Sequence, residues 1–490
     1  MIGLRLQELV SAVLVAGLLG AVAAPGSLRA QTTDGPASEG ARALEAIPVP
    51  PLDFDPPEAE LREVTGVPVL YLRDPALPLV SVFASFEGGY AHFERDRYAA
   101  GLGLANFLRY GGTTDLPPDS VDTLLEHFAL QTSVGSGGGG IRASLNALVE
   151  HADTGVALLA SMLREPRFAE EPVEVWRLRE LESVRRRQDN PSVLAVTEFN
   201  RLLYGDHPVG WEMAPSDLEP AKLATPVLRS LHERIVCPDN LVLGITGDLS
   251  WARAEELVGR LLEGWSPCAE ELPEAPIPEI LERRGVYLIP KDLEQSVVVM
   301  AHPSGVRMAD EPAYYSTILG NAILGSGGFS SRMLARVRTE EGYAYSASSL
   351  WTTPRRYDGL VGALTRTGPG TTVAAARLLL DIFREAREAP PTEVEVGTAR
   401  DRIVNGFVFN FDSPAEIVSR RMYYVARDLP RDWLERYLAG IGQVTPASIL
   451  EVFRAELKPD EMAILIVGDP DRIGREELET LGPVTVLELP

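Results

Sequence analysis

The sequence contains few of the residues that build disulfide frameworks or metal clusters. Among 490 residues there are 2 cysteines, without a Cys-x-x-Cys pair, and 6 histidines. This scarcity excludes a disulfide-framework fold and a structural zinc site made of thiolates, so any metal would need histidine and carboxylate ligands. Positive charge is also scarce, because 46 Lys and Arg residues face 70 Asp and Glu residues, a formal net charge of −24. A field of this sign repels nucleic acid and anionic membrane surfaces.

Long hydrophobic runs are confined to the amino terminus, in a pattern typical of a secretory signal peptide. Residues 1–30 contain Arg5, an apolar run of fifteen residues over Val10–Ala24, and small residues up to Ala23 and Ala30. A membrane-spanning helix needs about 20 apolar residues, and this run is shorter and is followed by Pro, Gly and Ser. We therefore expect a periplasmic or secreted protein without stable membrane insertion. An uncleaved membrane anchor is the alternative, and both alanines are candidate cleavage sites.

The remainder of the chain carries the marks of a tandem duplication. Hydrophobic residues make up 45% and charged residues 24% of the sequence, which is ordinary globular composition. The segment Pro238–Asp248 is mirrored 221 residues later by Pro459–Asp469, with Pro, Asp, Ile, Gly and Asp matching, and the Gly-Val pair at Gly66 reappears 219 residues later at Gly285. Two marks at opposite ends of a unit therefore agree on one period, which indicates two copies of one structural unit.

Composition shifts and periodicity predict the domain organisation and the fold class. Strand-like runs, then helical segments, then further strands recur in each copy, which favours an α+β class: a mostly antiparallel sheet covered by helices in each of two homologous domains. The stretch between the copies is rich in proline and acidic residues, a composition typical of an extended, stiff linker. The predicted boundaries are a signal peptide (1–30), a disordered lead-in (31–57), a first domain (58–265), a linker (266–283) and a second domain (284–490).

The two cysteines are candidates for a disulfide. Cys237 precedes the predicted strand Asn240–Thr246, and Cys268 follows the predicted helix Trp251–Glu263, which runs back antiparallel to that strand. Both cysteines should therefore lie at the same edge of the first domain. Two buried thiols are the alternative, because the sequence does not determine whether the Cα atoms come within the roughly 7 Å that a bridge requires.

Several motifs together resemble a known family. They are Gly101–Thr113 (GLGLANFLRYGGT), Tyr204–Pro208 (YGDHP), Gly325–Ser346 (GSGGFSSRMLARVRTEEGYAYS) and the two duplicated strands described above. These motifs resemble the insulinase or pitrilysin metallopeptidases, particularly the two-domain class that includes mitochondrial processing peptidases and bacterial two-subunit peptidases. The resemblance covers nearly all of the chain after the signal peptide. It implies two related α+β halves that face each other like a clamshell.

The resemblance also implies a zinc motif, and this chain departs from it. Active members carry H-x-x-E-H on a helix of the first domain, where the histidines and a downstream Glu bind zinc and the Glu of the motif deprotonates the metal-bound water. The matching segment is 106–110 in one register and 103–107 in another, and neither contains His or Glu. The degenerate positions are Asn106, Arg109 and Tyr110. Arg109 would place a permanent positive charge where a divalent cation must bind, and Tyr110 is a poor zinc ligand. We therefore expect no metal and no cofactor in this chain, with zinc in a partner subunit.

Two Glu-His segments and two glutamates are weaker metal-site candidates. The segments 123–127 and 147–151 both end in Glu-His but lack the leading His of the motif. We interpret both as solvent-exposed edges of later helices. Glu180 and Glu182 lie on the predicted helix Pro172–Arg187, where the third zinc ligand would be expected, and we interpret them as part of its charged face.

In the second domain, the resemblance implies a substrate-binding pair. In the family, an Arg and a Tyr seven residues apart hydrogen-bond the bound peptide near the scissile bond, and here they are Arg338 and Tyr345. Gly342 is predicted to end the helix that begins near Ser330, so that both side chains converge at one edge of the domain. The alternative is that Arg338 only complements the helix C-terminus and Tyr345 is a half-buried strand residue.

These features lead to one functional hypothesis with two alternatives. The chain is predicted to be the non-catalytic subunit of an exported two-subunit insulinase-family zinc peptidase. It would close the peptide chamber, while a partner carrying H-x-x-E-H supplies zinc, and the substrate would be an unstructured peptide held by strand addition to a sheet edge. The alternatives are an active zinc metallopeptidase with atypical ligands and an exported peptide-binding or assembly protein without an enzymatic partner.

Overall fold

The structure of this chain, a computed structural model, describes residues 57–489. These residues form one compact unit. The predicted signal peptide and nearly all of the predicted lead-in lie outside the described residues. Within 57–489, no helix combines the length and the apolar character that crossing a membrane requires.

Each half of the described chain contributes strands and helices in a similar order. The first half forms β1 (Glu60–Val64), β2 (Val67–Arg73), β3 (Leu79–Glu87), α1 (Tyr98–Tyr110), α2 (Pro118–His127), β4 (Gln131–Gly137), β5 (Gly140–Leu148), α3 (Ala152–Arg164), α4 (Glu170–Arg186), α5 (Pro191–Tyr204), α6 (Thr225–Ile235), β6 (Leu241–Gly247) and α7 (Trp251–Leu262). The second half forms β7 (Gly285–Pro290), β8 (Ser296–Ser304), α8 (Pro312–Asn321), α9 (Arg332–Leu334), β9 (Ala344–Trp351), β10 (Gly359–Thr367), α10 (Thr372–Ala386), α11 (Glu393–Val408), α12 (Pro414–Ala426), α13 (Trp433–Gln443), α14 (Pro446–Glu456), β11 (Ala463–Gly468), α15 (Pro470–Ile473), α16 (Arg475–Glu479) and β12 (Val484–Val486). Helices α8 and α9 continue as π-helical segments over Ala322–Ser326 and Ala335–Glu340.

The strands form two six-stranded sheets in which five strands follow the same order, and the sixth, β1 or β12, differs in its place along the chain. The first sheet has the order β1-β2-β6-β3-β5-β4, and the second has the order β12-β7-β11-β8-β10-β9. The pairs β2–β6, β7–β11 and β7–β12 are parallel, and the other neighbouring pairs are antiparallel. The repeated order confirms the predicted α+β class with two homologous, mostly antiparallel sheets.

Burial along the strands explains why helices must cover both faces of each sheet. In β3, the alternate residues Val80, Val82, Ala84 and Phe86 are buried, as expected for a strand with one apolar face. In the central strand β6 nearly every residue is buried, and in β11 every residue is buried. A strand that is apolar on both sides needs a hydrophobic partner on both faces of its sheet.

Part of that second cover comes from an exchange of helices between the halves. Helix α5 belongs to the first half by sequence, but its Leu194, Phe199 and Leu203 share a hydrophobic cluster with Val297 and Leu465 of the second sheet. Asn190 caps this helix, because its side chain accepts hydrogen bonds from the first-turn backbone. The apolar face of α5 is therefore buried against the sheet of the other copy.

Helix α12 makes the reciprocal contact. Its Val418 and Met422 are buried with Leu70 of β2 in the first sheet. On β6, a Cβ atom added to Gly244 would lie 2.4 Å from Met422 Sδ and 2.5 Å from Val418 Cγ1, so glycine is needed for this close approach. The two halves therefore interlock through α5 and α12. The predicted domain boundaries at 265 and 284 stay a prediction.

The segment predicted as a linker is fastened along the first half. A disulfide joins Cys268 to Cys237, with 5.1 Å between the Cα atoms. His92 Nδ1 lies 2.7 Å from the carbonyl oxygen of Pro273, and His207 Nε2 lies 3.1 Å from that of Pro276. These contacts hold the segment at intervals, although it has no helix or strand of its own.

Candidate functional site

Helix α1, which the resemblance assigns to zinc binding, meets α4 through aromatic rings. Phe107 is fully buried, and its ring centroid lies 5.1 Å from that of Trp176 on α4. A Cβ atom added to Gly103 would lie 2.7 Å from the Phe107 ring and 3.0 Å from the Trp176 ring. Gly103 and Phe107 are one helical turn apart, so both belong to this face. The space between α1 and α4 is therefore filled by apolar groups.

The positions predicted as degenerate zinc ligands point elsewhere. Arg109 Nη1 donates a 2.8 Å hydrogen bond to Asp122 Oδ1 on α2, and its guanidinium carbon lies 4.7 Å from the centroid of the Tyr110 ring. Tyr110 is 49% exposed, and Asn106 is half-buried. The structure thus brings Arg109 and Tyr110 together but directs the arginine towards α2. Among residues 57–489, no group of three or more His, Cys, Asp or Glu side chains lies in a position to hold a metal ion.

The two glutamates of α4 differ in their surroundings. Glu182 accepts a 2.6 Å hydrogen bond from Arg186, one turn further along the helix, as expected for a charged helix face. Glu180 is half-buried, and burial raises the pKa of its carboxyl group, with Arg187 acting in the opposite direction. A carboxylate whose pKa is raised by burial lacks a strongly stabilising cation.

The two Glu-His segments converge on one aromatic ring. His127, at the end of α2, and His151 lie with ring centroids 4.7 Å and 5.3 Å from that of Phe128. The prediction that both segments lie on helices is wrong for the second one. There, Ala147 and Leu148 end strand β5, and residues 149–151 form a single 3₁₀ turn.

The predicted substrate-binding pair is assembled at the start of β9. Gly342, with φ of +67°, follows the π-helical segment that carries Arg338, as predicted for a glycine that ends a helix. The Arg338 guanidinium carbon lies 4.4 Å from the centroid of the Tyr345 ring. Tyr345 is 77% exposed, so its ring faces solvent at the edge of the second sheet.

A third residue, which the sequence analysis missed, completes this group. The Phe329 ring centroid lies 5.0 Å from the Arg338 guanidinium carbon, and the ring is 76% exposed. Its signal in the sequence is a large aromatic residue in a turn of small residues, Gly327-Gly328-Phe329-Ser330. We call Phe329, Arg338 and Tyr345 the aromatic–arginine group.

The turn that presents Phe329 is held firmly. Gly328 has a φ of +72°, which favours glycine. Ser331 Oγ donates a 2.6 Å hydrogen bond to the Gly328 carbonyl, and Arg402 on α11 donates one to the Gly327 carbonyl. Nearby, Arg332 donates to both carboxylate oxygens of Glu395, at 2.7 Å and 3.0 Å. The exposed ring therefore sits on a braced backbone.

Known proteins share this sequence and this fold. Residues 223–403 match the family described as Peptidase M16 inactive domain. The chain is 21% identical over 406 residues to "Non-peptidase homolog YmxG" of Helicobacter pylori, covering 82% of this chain and 92% of that protein. It is 27% identical over 307 residues to "Uncharacterized zinc protease Mb2805c" of Mycobacterium bovis, covering 61% of this chain and 68% of that protein.

Two solved structures support the same assignment of the fold. The crystal structure of a peptidase M16 inactive domain from Pseudomonas fluorescens superposes with a TM-score of 0.74 at 23% identity, covering 84% of this chain and 98% of that chain. The periplasmic protease PqqL from Escherichia coli superposes with a TM-score of 0.72 at 13% identity, covering 92% of this chain and 49% of that chain.

The duplicated sheets and the helices packed on them define a metallopeptidase-like α+β protein. Residues 223–403 match the peptidase M16 inactive domain, and the chain is similar in sequence to a protein named as a non-peptidase homolog and to proteins named as uncharacterized zinc proteases. The family resemblance in the sequence is thereby confirmed.

Proposed function

We propose that this chain is the non-catalytic subunit of an exported two-subunit M16 zinc peptidase. It closes the peptide chamber and lends Arg338 and Tyr345 to peptide binding, while a partner carrying H-x-x-E-H supplies the zinc and the general base. The observation that carries the proposal is the contact between Phe107 and Trp176, which fills the helix pair where the family resemblance expects metal ligands.

The packing of α1 also favours one register of the degenerate motif. Gly103 and Phe107 both face α4, the helix on which the third ligand is expected, and they stand at the first and last positions of the 103–107 register. In that register Asn106 takes the place of the general base. A glycine, an amide and a phenyl ring offer neither a metal-binding triad nor a group that can accept the proton of a bound water.

The length of a structural neighbour supports a partner subunit. This chain aligns over 92% of its own length with only 49% of the PqqL chain. The neighbour therefore holds roughly as much chain again beyond the aligned part. In our proposal, a separate polypeptide makes the corresponding contribution to this protein.

The disulfide supports an exported location. Disulfides such as Cys237–Cys268 persist in oxidising compartments and are rare in the cytosol. Together with the signal-like residues 1–30, this favours the periplasm or secretion.

Edge strands support an unstructured peptide as the substrate. Strand β4 ends the first sheet and β9 ends the second, and an edge strand offers unpaired backbone donors and acceptors to an extended peptide. Tyr345 lies on β9, so a peptide near this edge can reach the aromatic–arginine group. A guanidinium and a phenol are suitable hydrogen-bond donors for a carbonyl that gains negative charge during attack.

The test is peptide hydrolysis by this chain together with an H-x-x-E-H protein from the same genome. Arg338→Ala should lower kcat by about 100- to 1000-fold, the range for removing one donor to a developing oxyanion, and should leave the heterodimer intact. Arg336→Ala is the matched control, because Arg336 pairs with Glu385 at 2.5 Å and lies outside the proposed site; we expect unchanged turnover. Unchanged hydrolysis by Arg338→Ala would reject the role of this residue.

The alternatives give different results in the same preparation. An active peptidase with atypical ligands would contain about one tightly bound zinc per isolated chain and would show chelator-sensitive cleavage without a partner. A peptide-binding or assembly protein would bind peptides but would neither associate with an H-x-x-E-H protein nor support cleavage.

A further inference from the structure

Arg338 differs from the two arginines that precede it on the same helical segment. Arg332 forms an ion pair with Glu395 at 2.7 Å, and Arg336 forms one with Glu385 at 2.5 Å. Within residues 57–489, no carboxylate lies within ion-pair distance of Arg338, and no acceptor is hydrogen-bonded to it. Its close partners are the rings of Phe329 and Tyr345. Unlike its two neighbours on this segment, Arg338 therefore carries a positive charge that no carboxylate of the described residues pairs with.

The two rings are exposed, and the backbone that carries one of them is braced. Phe329 and Tyr345 are 76% and 77% exposed, and the turn that carries Phe329 is braced by hydrogen bonds to Gly327 and Gly328. Grouped exposed aromatic residues mark binding sites more often than isolated ones do. A rigid arrangement also reduces the entropy that would be lost when a ligand binds.

The chemistry of the group selects the ligand. Cation–π contacts position the guanidinium without using its N–H donors, and these donors form a planar fork that matches the two oxygens of a carboxylate. The apolar Phe329 ring cannot hydrogen-bond, so its contribution is to position the guanidinium and to exclude water beside the ion pair. Excluding water lowers the local dielectric constant and strengthens the attraction between the charges.

We propose that Phe329, Arg338 and Tyr345 form a clamp that binds a carboxylate group of a peptide, either its C-terminus or an acidic side chain. The proposal rests on the proposed function for the peptide nature of the ligand, and it adds Phe329 and a requirement for negative charge on the bound segment.

The test is direct binding of short peptides to the isolated full-length mature chain, measured by isothermal titration calorimetry. The probes are an N-acetylated alanine pentapeptide with a free C-terminal carboxylate, its C-terminal amide, and two amides that carry a central glutamate or a central glutamine. We expect at least one carboxylate-bearing peptide to bind about tenfold more tightly than its neutral counterpart. The pair that shows the difference identifies the source of the carboxylate.

Variants connect the preference to the clamp. Arg338→Gln should abolish it, and Phe329→Ala should reduce it about three- to fivefold through loss of the cation–π contact. Arg336→Gln, a charge removal two residues away on the same helical segment, is the matched control and should retain it. Circular dichroism spectra of the variants establish that each is folded.

Two outcomes overturn the clamp: equal affinity for the charged and neutral peptides, and no measurable binding of any peptide. These outcomes are distinguishable from failure of the proposed function. If the assembled enzyme still depends on Arg338 but the peptides show no charge preference, the proposed function stands and the clamp falls. If the preference is present but no H-x-x-E-H partner supports cleavage, the clamp stands and the proposed function falls.

Discussion

The packing of α12 on the first sheet predicts that positions 244 on β6 and 422 on α12 are energetically coupled. The perturbation is Gly244→Ala on β6, beneath helix α12. The added methyl group would lie 2.4 Å from Met422 Sδ and 2.5 Å from Val418 Cγ1, well inside van der Waals contact. Forcing an extra carbon into a packed core typically costs about 1–3 kcal/mol, so we expect the free energy of unfolding to fall by about that amount.

A second substitution turns this estimate into a double-mutant cycle. Met422 is 4% exposed, and Met422→Ala should cost about 2–5 kcal/mol because it leaves a cavity. In the double variant, the alanine methyl at 244 occupies part of that cavity and no longer meets the sulfur atom. The double variant should therefore lose less free energy of unfolding than the sum of the two single losses, with a coupling energy of about 0.5–3 kcal/mol.

The assay is urea unfolding of the mature chain, followed by tryptophan fluorescence and far-UV circular dichroism. Gly259→Ala on α7 is the matched control, because nothing lies within 4 Å of a Cβ atom added there, and it should stabilise the helix by about 0.5–1 kcal/mol. Wild-type stability of Gly244→Ala, or strictly additive losses in the double variant, would refute the close packing of α12 on the first sheet.

Two further predictions concern the interior of the first half. Burial lowers the pKa of His232 to about 4, and its ring is hydrogen-bonded to the Leu163 carbonyl. Because this pKa is lower in the folded state than the unfolded value of about 6.5, stability from this group is complete above pH 6.5 and is lost as pH falls towards 4. Between pH 7 and pH 4, the free energy of unfolding measured in urea should fall by about 3 kcal/mol less for His232→Gln than for wild type. Equal dependence of this free energy on pH in the two proteins would contradict the lowered pKa of His232. Phe107→Ala should lower the free energy of unfolding in urea by about 3–5 kcal/mol and should leave the zinc content of the isolated chain unchanged. Stoichiometric zinc in either protein would contradict the prediction that this chain binds no metal.

Local patterns in the sequence were sufficient for much of the fold. The helical periodicity of Tyr98–Tyr110 coincides with the bounds of α1, and the apolar alternation over Leu79–Phe86 ends one residue before β3 does. Gly342 was identified as a helix end because a left-handed backbone conformation there favours glycine. The duplication was visible because two copies of one unit retain the same residues at the same spacing.

The arrangement of the candidate site depended on contacts that local patterns do not contain. Arg338 and Tyr345 were identified from a motif, but Phe329 was not, because the proximity of its ring to Arg338 depends on a turn held by α11. Likewise, the sequence left two registers of the zinc motif open, and the face of α1 that meets Trp176 is a matter of helix packing.

The sequence by itself determined much of the secondary structure, the duplication and the absence of histidine from the zinc motif, since these depend on residue type and on spacing along the chain. The tertiary structure decided which helix covers which sheet, which side of α1 is filled by aromatic rings, and that Arg338 contacts two rings while Arg332 and Arg336 pair with glutamates. The physical reason is that each of these is a choice among contacts between residues far apart in the chain. Several pairings satisfy the same hydrophobic pattern, and close packing of particular side chains selects one of them.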